Sequence, residues 1–117
     1  MEGDFMSLGY TGICKKVAED DYIVIYSYAG ENWNDGGKSK RGDSQLQDGM
    51  FTIYKSSFCI DMESCMQSGG VKIDCECKNA FQRPGIAVDY LAWMLIDHIF
   101  TYYKKNDHFP AQESFVQ

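Results

Sequence analysis

Residues 84 to 105 read PGIAVDYLAWMLIDHIFTYYKK, and this stretch carries the clearest structural signal in the chain. Its apolar side chains recur at steps of three and four residues, which places them on one side of an α-helix. They are Val88, Leu91, Ala92, Leu95 and Ile99. Pro84 suits the first helical position, Asn106 is a candidate left-handed cap, and Pro110 blocks continuation. The stretch predicts a long helix from Pro84 to Lys105 that packs one face against a core.

The residues before this helix predict β-strands. The strongest is 22 to 28 (YIVIYSY), where β-branched and aromatic residues follow one another without helical spacing. Residues 8 to 17 predict its hairpin partner across an Asp-Asp turn, and 50 to 58 predict a third strand. Residues 71 to 78 alternate between apolar and charged side chains, which is typical of an antiparallel strand with one wet face. Residues 61 to 68 are either a short helix or a wide turn.

These elements predict the α+β class, with an antiparallel sheet of four to five strands and one long C-terminal helix packed on one face. The chain has 117 residues, of which 44% are hydrophobic, and this is enough for one core. We therefore expect a single domain over 1–117. Residues 30–49 contain five glycines and little core material, so they predict a long flexible loop. Residues 106–117 are expected to form a C-terminal tail that folds back through its aromatic residues.

The charge of the chain limits its partners. The formal net charge is −6, which disfavours direct binding to nucleic acid and to anionic membranes. No stretch approaches the ~20 apolar residues that cross a bilayer, and the acidic start MEGD lacks the layout of a signal peptide. We therefore expect a cytoplasmic protein. A basic protein partner would be electrostatically complementary to it.

The five cysteines predict free thiols, because an odd number without a secretion signal argues against a disulfide framework. Cys75 and Cys77 are separated by one residue, whereas structural zinc ligands usually pair across two to four residues. We expect no catalytic residues, no metal and no cofactor. The alternative is a small metal-dependent or thiol-dependent enzyme that uses Cys75 and Cys77 with His98.

The aromatic residues predict a partner-binding region. Tyr22, Tyr26 and Tyr28 share one face of the strongest strand, and a sheet covered by one helix leaves the other face wet. We interpret the tyrosine face as the wet one, since tyrosine and tryptophan dominate interface hot spots. The alternative is that the tyrosines lie under the helix as core. The candidate partner-binding residues are Tyr26, Tyr28, Glu31, Trp33 and Asp35.

The predicted helix carries more aromatic residues than one core stripe needs. Trp93, Phe100, Tyr102 and Tyr103, together with Met94, make the helix apolar over more than one stripe. Two interpretations fit this excess. The aromatic helix face forms a homodimer contact, or the C-terminal tail covers it.

The motif at 9 to 16 (GYTGICKK), followed by the strand at 22 to 28 and one long helix near the C-terminus, resembles the layout of small acidic bacterial immunity proteins. These proteins accompany secreted or contact-dependent toxins, and the resemblance lies in size, acidity and layout. It implies a cytoplasmic protein-binding inhibitor rather than an enzyme. The implied partner is a cognate, basic protein toxin whose active site the inhibitor covers. A self-associating structural subunit is a further hypothesis.

Overall fold

The computed structural model describes residues 10–32, 48–57, 62–78, 80–86 and 88–116. Within those ranges the strands are β1 (Tyr10–Glu19), β2 (Ile23–Asn32), β3 (Gly49–Tyr54), β4 (Val71–Cys75) and β5 (Gln112–Val116). The helices are α1 (Met62–Gln67) and α2 (Tyr90–Asn106), and a 3₁₀ turn covers Lys55–Ser57. The sheet order is β4-β3-β2-β1-β5, and each neighbouring pair is antiparallel. The predicted α+β class, with five strands and one long helix, is confirmed.

The core lies between α2 and one face of the sheet. The apolar stripe of α2 is fully buried at Leu91, Leu95 and Ile99, as the spacing predicted. Val24 and Phe51 meet it from the sheet, and both are also fully buried. Each such side chain contributes about 1.5–3 kcal/mol relative to an exposed one, so this layer is the main source of stability.

The helix starts later than the sequence predicted. It begins at Tyr90, and the side chain of Asp89 caps it by accepting a hydrogen bond from the Leu91 N–H at 3.1 Å. The prediction that Pro84 opens the helix is wrong. Gly85 has a φ of 85°, which is a left-handed conformation that an α-helix cannot include.

The helix also ends one residue later than predicted. Asp107, rather than Asn106, takes the left-handed conformation, with a φ of 61°. Its N–H donates to the Tyr103 carbonyl at 2.8 Å, which is the hydrogen bond of an αL cap. Lys104 and Lys105 lie in the last turn, where they complement the helix dipole.

The predicted C-terminal tail contains a strand, β5. β5 pairs with β1 from Thr11↔Val116 to Lys15↔Gln112. The ring of Phe115 lies directly over Gly12, where a Cβ atom would overlap it. This close approach explains why glycine stands at that position, and it seats Phe115 in the core.

The β1–β2 hairpin forms as predicted, with Asp20 holding its turn. The Asp20 Oδ1 atom accepts hydrogen bonds from the N–H groups of Tyr22 at 2.7 Å and Ile23 at 2.9 Å. These two bonds stabilise the charged carboxylate and lower the pKa of Asp20. β2 continues to Asn32, so residues 30–32 belong to a strand rather than to the predicted loop, and residues 33–47 lie outside the described ranges.

A bulge changes the far edge of the sheet. Phe51 pairs with Ile73 but Met50 pairs with Cys75, so Asp74 is an extra residue in β4. The alternation predicted for residues 71 to 78, which would place Cys75 on the apolar face with Ile73, is therefore broken, and Cys75 is exposed. The ambiguous segment before β4 is helix α1, and Gly69 ends it with a φ of 83°.

The start of α2 is fixed to the sheet by the buried carboxyl group of Asp89. Its Oδ2 atom accepts a hydrogen bond from the Tyr28 hydroxyl at 2.6 Å. Its Oδ1 atom accepts from the N–H groups of Phe81 at 3.0 Å and Leu91 at 3.1 Å. One side chain thus joins β2, the preceding loop and the helix.

We expect Asp89→Ala to lower the free energy of unfolding by about 3 kcal/mol, because it removes the helix cap and the acceptor of three buried hydrogen bonds. Urea titration at neutral pH measures the change. Glu76→Ala, which removes an exposed carboxylate, is the control and should change stability by less than about 0.5 kcal/mol. A loss at Asp89 no larger than the control would show that this carboxyl group is not an anchor.

Candidate functional site

Tyr26 and Tyr28 lie in the core, so the prediction that they form a wet recognition face is wrong. The register pairs them with Phe51 and Cys14 on the side of the sheet that α2 covers. Burial is possible because each hydroxyl has an acceptor: the Tyr26 hydroxyl donates to the Pro110 carbonyl at 2.6 Å, and the Tyr28 hydroxyl donates to Asp89. Burial also raises the pKa of both hydroxyls. The alternative, that these tyrosines are core residues, is confirmed.

The other predicted partner-binding residues do not join them. Glu31 lies on the opposite face of β2 and is 8% exposed. Its Oε1 atom accepts a hydrogen bond from the Thr11 hydroxyl at 3.3 Å, and its Oε2 atom has no hydrogen-bond partner among the described residues. Trp33 and Asp35 lie outside the described residues, so their role stays a prediction.

The sheet face opposite α2 is uncovered by the described helices and loops. The pairing of β1, β2 and β3 places the same-facing side chains of this surface, which we name the open sheet face, in adjacent rows. They are Ile13, Ile23, Ile25, Ser27, Met50 and Tyr54. The isoleucines are half-buried by their neighbours, and Met50 is 38% exposed. Thr11, Lys15 and Thr52 share this face, so it mixes apolar with polar side chains.

The turn end of the β1–β2 hairpin carries two exposed large apolar residues. Tyr22 is 76% exposed and Val17 is 57% exposed, and the exposed Asp20 and Asp21 lie between them in the chain. We name these four residues the hairpin tip. A register shift between Lys16 and Ala18 turns Val17 outward. The tip combines exposed apolar area with two carboxylates.

The charges beside the hairpin tip leave it acidic. Glu19 is engaged by Lys16 at 2.6 Å and by Lys55 at 2.8 Å, and the hydrogen bond from Lys16, followed by that from Lys55, lowers its pKa. Both lysines are thus ion-paired with Glu19. Asp20 and Asp21 have no ion pair among the described residues and present their charge to solvent.

The alternative cysteine and histidine site is not assembled. Cys77 is buried, with its Sγ atom 3.9 Å from the Asp89 Oδ2 atom. His98 packs on Phe115 of β5 with ring centroids 5.9 Å apart, whereas Cys75 ends β4. β4 and β5 are opposite edges of the sheet, four strand spacings or about 19 Å apart. No cluster of three metal-binding side chains occurs in the described part of the chain.

The aromatic residues of α2 are engaged within the molecule. Phe100 is buried, and the rings of Tyr103 and Phe109 lie 4.7 Å apart. The Tyr102 hydroxyl lies 3.2 Å from the His108 Nε2 atom. Residues just after the helix therefore cover this surface, as one of the two interpretations proposed. No α2 residue is among the exposed large apolar residues described, so a homodimer contact through the aromatic helix face gains no support.

No protein family, curated protein or solved structure matches this chain. Among the described helices, none is both long enough and apolar enough to cross a membrane. Evidence for a function therefore comes from the geometry of the hairpin tip and the open sheet face. Sequence reasoning recognised the Asp20-Asp21 turn but did not select Tyr22. The sequence signal that could have identified Tyr22 is its position directly after the turn, because a residue there has no cross-strand neighbour to cover its ring.

Burial of Cys14 predicts a loss of stability at alkaline pH. Burial raises the pKa of the Cys14 thiol from 9.0 to about 12. The unfolded chain therefore loses this proton first, so the stabilisation is complete below pH 9.0 and declines as the pH rises toward about 12. Between about pH 8 and about pH 10.5, the drop in unfolding free energy should be about 2 kcal/mol smaller in Cys14→Ala than in wild type.

Urea titrations at the two pH values measure this difference, which is independent of the cavity that the substitution leaves. Cys75→Ala removes an exposed thiol and should reproduce the wild-type drop. Equal drops in wild type and Cys14→Ala would show that Cys14 does not retain its proton in the folded state.

Proposed function

We propose that this chain is a cytoplasmic binding protein that neutralises a cognate bacterial toxin by covering the toxin's active site. The hairpin tip carries the proposal, because it places the exposed Tyr22 ring and the Val17 side chain beside two carboxylates. Tyrosine is enriched at interface hot spots, since it buries a large area at low entropic cost.

The charge of the tip favours a basic cleft. The hydrogen bonds from Tyr22 and Ile23 lower the pKa of Asp20, so its carboxylate is charged at neutral pH. Asp21 adds a second exposed acid, and the whole chain carries a formal net charge of −6. Complementary fields raise association rates and select against partners with acidic surfaces. A toxin that binds a polyanionic substrate has the basic active site that this tip would complement.

The backbone of the tip is held before any partner arrives. Asp20 closes the turn through two hydrogen bonds, and the Tyr22 carbonyl accepts a third from the Lys55 N–H at 2.9 Å. A preorganised loop loses little conformational entropy when it binds. The tip is therefore suited to inserting as a rigid wedge into a cleft.

We expect Tyr22→Ala to weaken binding to the toxin by about 1–2 kcal/mol or more, because it removes the largest exposed side chain of the tip. We expect Asp21→Lys to slow association and to reduce its dependence on salt, because it reverses a steering charge. Calorimetry and surface plasmon resonance measure both effects. The binding partners to test are the purified products of the genes adjacent to the one that encodes this chain.

Glu76→Lys is the matched control, since it makes the same change in net charge at an exposed position beyond β4. It should bind like wild type, and growth of a bacterial host that co-expresses the toxin should be rescued by wild type and by Glu76→Lys. Rescue that is unaffected by Tyr22→Ala and Asp21→Lys but lost in Trp33→Ala would move the site from the hairpin tip to the predicted loop. Failure of wild type to bind or protect against any neighbouring product would contradict the proposed function.

A further inference from the structure

We draw no further inference here: the strongest candidate, the apolar groove of about 230 Å³ that Met66 of α1, Val71 of β4 and Trp93 of α2 line, is an unpartnered surface, and nothing in the described part of the chain shows what covers it.

Discussion

The buried carboxyl group of Asp89 sets the arrangement on which the other features depend. It caps α2, accepts the Tyr28 hydroxyl from β2, and accepts the Phe81 N–H from the loop between them. A carboxyl group placed in the core without such donors would be strongly destabilising, so the donors must stay together. The helix is thereby held over one chosen face of the sheet. The opposite face is left for other contacts.

That choice of face decides which side chains stay outside the core and are available to the proposed recognition surface. Tyr26 and Tyr28 are drawn under the helix because the Pro110 carbonyl and Asp89 satisfy their hydroxyls there. The side chains left outside the core include the isoleucines of the open sheet face and, at the hairpin turn, the exposed Tyr22. The proposed binding function therefore depends on residues that are not buried in the core. The same logic separates Cys75 from His98, since each lies at a different edge of the sheet.

The residues after α2 both cover the helix and complete the sheet. His108 and Phe109 cover the α2 aromatics, and the strand that follows joins β1 with the Phe115 ring over Gly12. This makes β5 the new edge and moves β1 into the interior of the sheet. β5 pairs without a register shift, whereas β4, at the other edge of the sheet, contains the bulge at Asp74.

Local patterns in the sequence determined the α+β class, the Leu91–Leu95–Ile99 stripe, and the hairpin turn at Asp20, because each depends on side chains within a few residues of one another. Strand alternation also determined that Tyr26 and Tyr28 share a face. Only the tertiary structure decided which face is covered, because periodicity is the same for either side and the deciding hydrogen bonds span 61 to 84 residues. The helix start at Asp89, the outward turn of Cys75, and the pairing of β5 with β1 likewise depend on partners distant in the chain.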